Sequence, residues 1–137
     1  PTLTGLASLA NASTTLLSNT GTAYFGGTAT STFSSAGALS IAGGTAITKH
    51  LSATASLDFP IIAASSCQSL TITVTGAADG DTVSLGVPTA LANASTTFAT
   101  TGFVSAANTV TARICQVATQ ASSDPAAATV RADVWQH

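Results

Sequence analysis

Charged side chains are scarce in this sequence of 137 residues, and glutamate and methionine are absent altogether. Three basic residues, five aspartates and two histidines are all that the chain offers for acid–base catalysis, metal binding or phosphate binding. Charged residues make up 6% of the chain, against about 25% in an ordinary globular domain. The sequence therefore predicts a structural, assembly-forming protein that is not an enzyme and needs no metal or other cofactor.

The low charge also bears on the partners that the chain can have. Three cations within a net charge of -2 give no basic patch for nucleic acid or for an anionic membrane surface. No apolar run approaches the roughly 18 residues that a membrane-spanning helix requires. We therefore expect no nucleic-acid partner and no membrane partner. Little charge repulsion keeps the molecules apart, so we expect neighbouring subunits to cover much of the surface.

Residues 1–48 differ in composition from the rest of the chain. They contain no charged residue, no valine and seven of the eleven glycines. Such a segment has little to bury and many backbone groups to pair, so it is predicted to be an extended assembly arm. Short strands are predicted at residues 22–25, 28–33 and 38–41, with glycines between them. Leucines at positions 3, 6, 9, 16 and 17 leave a short helix as the alternative for the beginning of the arm.

From Lys49 onward, apolar and polar residues alternate with a period of two, which is the pattern of half-buried strands. The residues predicted to face the core are Leu51, Ala53, Ala55, Leu57, Phe59, Leu70, Ile72, Val74, Val83, Leu85, Val87, Val110, Ala112, Ile114, Val130, Ala132 and Val134. Short strands with turns at this spacing predict an all-β fold. We expect an antiparallel β-sandwich of six to seven strands at residues 49–137, preceded by an extended N-terminal arm at residues 1–48.

Turn residues suggest how these strands are connected. Residues 76–81, which include Asp79, Gly80 and Asp81, are predicted to form a hairpin turn in which Gly80 takes a positive φ. The same Asp-Gly-Asp run resembles the start of a calcium loop, but the further carboxylates of such a loop do not follow, so the turn is preferred. Residues 95–100 and 102–105 are predicted as two short strands, and Asn108 as the turn before the next strand.

The two histidines do not form a recognisable catalytic or metal-binding motif. His50 and His137 lack the spacing of a zinc pair, and no glycine-flanked serine of the nucleophile-elbow type accompanies them. Both are expected on the surface. Thr71, Thr73 and Thr75 share one strand face, which prompts a more distant hypothesis of an adhesin or of an ice- or carbohydrate-binding module.

Strand parity places both cysteines on the side away from the core. Cys67 shares its face with Thr71 and Thr73, and Cys115 shares its face with Arg113. The two cysteines can form a disulfide if their strands are neighbours, or remain small free thiols beneath the arm or a neighbouring subunit. The sequence leaves both alternatives open.

Trp135 is the only tryptophan, and it lies with Arg131 and Asp133 on the face opposite the predicted core. An aromatic residue there is either packed by a slipped register or anchors a protein interface. The scarcity of other aromatic and charged residues favours the interface. The aromatic residues of the arm, Tyr24, Phe25 and Phe33, are further candidates for interface contacts.

Four stretches resemble a β-sandwich module that occurs in structural proteins of tailed bacteriophages. They are residues 44–60, residues 70–83, residues 104–113 (Val-Ser-Ala-Ala-Asn-Thr-Val-Thr-Ala-Arg) and the ending from Asp124-Pro125 to Trp135. The resemblance covers residues 44–137 and brings no active-site positions with it. It implies a virion protein, assembled in the bacterial cytoplasm, whose partners are the major capsid protein or other virion proteins.

Such modules occur in capsid decoration proteins and at the ends of tail fibres, commonly as trimers. A short chain with an uncharged arm and no repetitive shaft looks more like a trimeric capsid decoration (cement) protein, which stabilises the head. A short tail-fibre or head-fibre tip that binds a host surface receptor is the alternative.

Overall fold

The regular secondary structure of the described residues consists almost entirely of strands. The structure, a computed structural model, describes residues 20–25, 31–92, 98–117 and 122–137. The strands are β1 (Ala23–Phe25), β2 (Ser31–Phe33), β3 (Leu39–Ser40), β4 (Lys49–Leu57), β5 (Cys67–Thr73), β6 (Thr82–Gly86), β7 (Phe98–Ala106), β8 (Thr109–Gln116) and β9 (Ala128–Gln136). A four-residue helical turn, α1 (Thr89–Ala92), lies between β6 and β7. The predicted all-β class is confirmed.

Six of these strands form the sandwich, as two antiparallel sheets of three strands each. One sheet has the order β4-β9-β6 and the other the order β5-β8-β7. The apolar core consists of the inward residues of these strands and of a few residues in their connections. Its fully buried members include Phe59, Ile62, Ile72, Leu91, Val110, Ile114, Val130 and Val134.

The two central strands fit the predicted alternation most closely. On β8, Val110, Ala112 and Ile114 are at most 2% exposed. On β9, Val130, Ala132 and Val134 are equally buried, while Arg131 is exposed. A central strand has one face against the opposite sheet and both edges paired, so its inward residues lose nearly all contact with water.

The predicted hairpin at residues 76–81 is wrong. Strands β5 and β6 belong to different sheets, and residues 74–81 carry the chain from one sheet to the other. The predicted positive φ at Gly80 is present, at 89°, and Gly76 has a φ of 95°. Val74 and Ala77 are buried within this connection, which a solvent-exposed hairpin turn would not require. A hairpin within one sheet and a connection between two sheets give the same sequence pattern. In both, each strand has one apolar face, and a Gly/Asp turn lies between the strands.

The two strands predicted at residues 95–100 and 102–105 are one strand, β7, in the described range that begins at Phe98. Gly102, the first residue of the second predicted strand, lies inside β7. A Cβ atom at this position would stand 2.7 Å from Cγ of Leu85 and 3.0 Å from Cγ1 of Val83, both on β6. The glycine therefore permits close approach of the two sheets and does not end the strand.

The described part of the arm contains three short antiparallel strands, which pair with one another in the order β1-β2-β3. They fall within the three predicted segments. An isolated bridge between Leu39 and Ile47 continues this pairing toward the sandwich, where the amide of Thr48 donates to the carbonyl of Gln136. The alternative of a leucine-rich helix lies outside the described residues.

Candidate interaction face

The outer face of the β4-β9-β6 sheet brings together the chemically distinctive side chains of the sandwich. Parity on β9 turns Arg131, Asp133 and Trp135 outward, since the residues between them are buried. Their partners on β4 are Thr54, Ser52 and His50, and their partners on β6 are Gly86, Ser84 and Thr82. We call the group His50, Ser52, Arg131, Asp133 and Trp135 the β9 cluster.

Asp133 is the centre of the β9 cluster. Its Oδ1 lies 3.2 Å from Nε2 of His50, and its Oδ2 forms an ion pair with Nε of Arg131 at 3.1 Å. Ser52, directly opposite on β4, also hydrogen-bonds to the carboxylate. The bond from Ser52 is the largest cause of a lowered pKa at Asp133; partial burial opposes this effect, and the positive charge of Arg131 adds to it.

His50 is held between this carboxylate and the indole of Trp135. The two rings are stacked, with centroids 4.1 Å apart and planes inclined by 22°. The stack follows from the register, because His50 and Trp135 are directly opposite each other on neighbouring strands. The tryptophan is therefore held in one orientation at an outer face, which is the arrangement of a pre-organised anchor for a partner surface.

Serine, histidine and aspartate are thus adjacent, but their order is not that of a hydrolytic triad. In a triad the imidazole lies between the hydroxyl and the carboxylate, so that it can take the proton of the hydroxyl. Here both Ser52 and His50 bind the carboxylate of Asp133. The β9 cluster is an ion-paired group that fixes its own side chains, and Ser52 has no adjacent base within it.

An open groove of about 430 Å³ adjoins the β9 cluster at Arg131. Its lining also includes Thr54, Thr129, Gly86 and Pro88. Gly86 has no side chain, and a Cβ atom there would lie 3.4 Å from Cβ and 3.8 Å from Nε of Arg131. The arginine side chain therefore lies over the glycine. The groove beside it is shallow and is bordered by the guanidinium of Arg131 and by the hydroxyl groups of Thr54 and Thr129.

The aromatic residues of the arm lie in a different sheet from the β9 cluster. Tyr24 is opposite Thr32, and Phe25 is opposite Ser31, in the β1-β2 pair. Phe33, opposite Ala23, is 48% exposed. The six predicted interface residues therefore form two groups, three on β9 and three on the small sheet of the arm.

Cys67 and Cys115 are joined by a disulfide bond on the outer face of the other sheet. They are directly opposite each other on β5 and β8. The neighbouring pair, Ser66 and Gln116, is hydrogen-bonded through the Gln116 amide and the Ser66 carbonyl. Because hydrogen-bonded and non-hydrogen-bonded pairs alternate, the cysteines form a non-hydrogen-bonded pair, in which side chains are closest. The bond ties an edge strand to the central strand of its sheet.

Threonines occupy the same outer face but do not form an open array. Thr71 and Thr73 are exposed and lie opposite Thr111 and Thr109. Thr111 is only 8% exposed, and its hydroxyl donates to Oγ of Ser105 at 2.7 Å. Thr75 lies beyond the end of β5. The regular, exposed threonine rows that an ice-binding surface would need are therefore interrupted.

One polar cluster that sequence reasoning did not identify lies at the end of the sandwich. Oδ2 of Asp81 accepts hydrogen bonds from the amide of Ala78 at 2.9 Å and from Nε2 of Gln136 at 2.8 Å. The Gln136 side chain also donates to the carbonyl of Gly76 at 3.1 Å. These bonds, first the one from Ala78, lower the pKa of Asp81. Asp81 thus stabilises the connection between the two sheets and the end of β9.

Among the residues that the structure describes, no three metal-ligating side chains come together and no helix is long and apolar enough to cross a membrane. Comparison of the chain with protein-family models, with curated proteins and with solved structures returns no match.

Proposed function

We propose that this chain is a structural protein of the bacteriophage virion, a homotrimeric decoration (cement) protein that stabilises the capsid. The resemblance of residues 44–137 to phage β-sandwich modules suggests the virion, and the observation on the molecule that supports an assembly role is the distribution of charge. The first 48 residues have none, and on the outer face of the β4-β9-β6 sheet the charges are ion-paired around a fixed tryptophan. Surfaces that are neutral and locally pre-organised suit permanent contact with neighbouring protein.

The mechanism of such a protein is mechanical. Strand pairing through the arm supplies backbone hydrogen bonds, and burial of apolar surface at the subunit contacts supplies affinity. Many copies, each bound weakly, add through multivalency. The cross-strand disulfide fits a protein that acts in a particle released into an oxidising medium, since cytosolic proteins seldom retain such bonds.

A capsid-binding experiment tests this function. The purified full-length protein is incubated with DNA-filled, expanded heads that lack it, and its occupancy is measured by sedimentation and particle imaging. We expect saturable binding at sites of threefold symmetry. Failure to bind heads, together with absence from purified particles, would contradict the proposal.

A receptor-binding tip of a short tail fibre or head fibre is the second candidate. The groove at Arg131 favours it, because a cation, two threonine hydroxyls and a nearby stacked aromatic pair are groups that can bind an acidic saccharide. The same purified protein, incubated with host cells, distinguishes the two functions. A fibre tip binds cells and not heads, whereas a decoration protein binds heads and not cells.

A further inference from the structure

Strand β7 forms an edge of the β5-β8-β7 sheet, and no strand of the described residues pairs with its outer side. It is nine residues long, and its sequence, Phe-Ala-Thr-Thr-Gly-Phe-Val-Ser-Ala, contains no charged residue and no proline. Phe103 on this strand is 46% exposed. Long, uncharged edges are templates for pairing with another strand, and proteins normally protect them.

The register identifies which backbone groups of β7 face outward. The amides of Gln116 and Val74 bond across the β5-β8 pair, to Ser66 and Asn108 respectively. The even-numbered residues of β8 therefore direct their amides and carbonyls toward β5, and the odd-numbered ones toward β7. The β7 residues opposite those odd-numbered positions are Ala99, Thr101 and Phe103. It follows that Thr100, Gly102 and Val104 present their amides and carbonyls to the open edge.

Strands β4 and β6, which form the edges of the other sheet, carry more protection. Strand β4 begins with Lys49 and His50, and β6 has only five residues, preceded by Asp81 and followed two residues later by Pro88. Strand β5 is shorter than β7 and is covalently tied to β8. Short length and charged or proline residues at an edge oppose pairing with a foreign strand. Strands β5 and β7 both lack charged residues and proline, and β7 is the longer by two residues; its pairing with β8 is regular from Phe98 to Val104 and shifts register only between Val104 and Ala106.

We propose that the outer edge of β7 accepts an extended, uncharged strand from a second copy of this chain. The inference rests on the proposed trimer and names the surface through which it closes. A threefold ring needs a heterologous contact, so β7 cannot pair with β7 of its neighbour, which would give a two-fold dimer. The donor must be a different segment. Within residues 1–48 of the second copy, the residues outside β1, β2 and β3, which already pair with one another, match the edge, because neither side brings a charge that would have to be desolvated.

Two proline substitutions in the full-length protein form a matched test. Thr100→Pro removes an outward amide of β7 and places a ring at the edge, while all hydrogen bonds to β8 remain. Ser69→Pro does the same on the outer edge of β5, because Ser69 lies opposite Arg113 in a non-hydrogen-bonded pair. The association state is measured by light scattering and sedimentation equilibrium, and folding by circular dichroism.

We expect the wild type and Ser69→Pro to be trimers and Thr100→Pro to be folded but to associate roughly tenfold or more weakly, since strand addition loses hydrogen bonds and meets a steric block. In the wild-type trimer, hydrogen exchange at the amides of Thr100, Gly102 and Val104 should be slow. If Thr100→Pro does not fold, the proposal is tested by these exchange rates in the wild-type trimer. Fast exchange at the three amides would overturn it.

A trimeric Thr100→Pro variant, a dissociated Ser69→Pro variant, or a monomeric or polydisperse wild type would each overturn the proposal as well. The proposed virion function would be contradicted by a different result, the absence of the protein from purified particles. The two failures can therefore be distinguished.

Discussion

Gly102 determines how closely the two sheets approach at the β6-β7 side of the sandwich. A methyl group there would overlap Cγ of Leu85 at 2.7 Å, an atom near the base of its side chain that cannot swing away by itself. We predict that Gly102→Ala lowers the free energy of unfolding by about 1–3 kcal/mol through overpacking, in spite of alanine's lower backbone entropy. Urea denaturation followed by tryptophan fluorescence measures the change.

The matched control is Gly86→Ala, also within a strand. Its added methyl group would lie 3.4 Å from the nearest atom, Cβ of Arg131, which is an ordinary contact on the outer face. The free energy of unfolding should change by no more than about 0.5 kcal/mol. Equal effects of the two substitutions would mean that close sheet approach is not what selects glycine at position 102.

The carboxylate of Asp133 should make stability depend on acid pH. Its pKa in the folded state is lowered from the ordinary 3.8, first by the bond from Ser52 and then by Arg131 and His50. A carboxyl whose folded pKa is depressed contributes stability that is fully present above its unfolded pKa. That contribution is lost as the pH falls through the folded value.

We therefore predict that Asp133→Asn flattens the acid branch of the stability curve. The free energy of unfolding of the wild type should fall more than that of the variant between neutral pH and pH values below 3.8. Denaturant titrations at a series of pH values measure both curves. Asp81→Asn should act on the same branch, since the pKa of Asp81 is lowered too. Parallel curves for wild type and Asp133→Asn would contradict the assignment.

At the scale of strands and connections, alternation in the sequence predicted the regular parts well. The inward residues of β8 and β9 were predicted correctly because a strand between two neighbours has only one apolar face to bury. The connection at residues 74–81 was predicted wrongly, because alternation in the sequence does not show whether two consecutive amphipathic strands belong to the same sheet. Ala77 is buried in this connection, and its carbonyl accepts a hydrogen bond from the amide of the distant residue Asn108.

Asn108 joins the β7-β8 hairpin to this connection. Its φ is 61°, its Oδ1 accepts the Gly76 amide at 2.6 Å, and its carbonyl accepts the Val74 amide at 2.9 Å. Asn108→Gly keeps the left-handed backbone at no steric cost but loses the side-chain acceptor, so we predict a loss of about 1 kcal/mol.

Asn108→Ala loses the same acceptor and also carries the cost of a left-handed alanine, about 1–2 kcal/mol more. Thermal and chemical denaturation of both variants give the two contributions separately. An alanine variant as stable as the glycine variant would show that the positive φ costs little here.

For the whole molecule, the sequence predicted the sandwich but only part of the candidate site. Parity alone placed Trp135, Arg131 and Asp133 on an outer face. It could not place His50 and Ser52 beside them, because that depends on the pairing of β4 with β9 across about eighty residues of chain. The same dependence on strand pairing explains why the sequence could not decide whether the two cysteines form a disulfide or remain free thiols. Their bond forms because β5 and β8 are neighbours in register.

Removal of residues 1–40 should separate attachment from folding. Among the described residues the buried core begins at Leu57, and β4 begins at Lys49, so the deletion removes no described core residue and none of the six sandwich strands. Because the buried apolar surface stays intact, we predict a free energy of unfolding within about 1 kcal/mol of the full-length value, with binding to expanded heads abolished.

The deletion is compared with the full-length protein and with Trp135→Ala, which keeps the arm and removes the stacked anchor of the β9 cluster. Denaturation reports folding, and head occupancy by particle imaging reports attachment. If the shortened protein decorates heads at full occupancy, the arm is not the attachment element, and the β9 cluster becomes the surface to test. If it does not fold, the short strands of the arm support the sandwich, through links such as the bridge between Leu39, which the deletion removes, and Ile47, which lies just before β4.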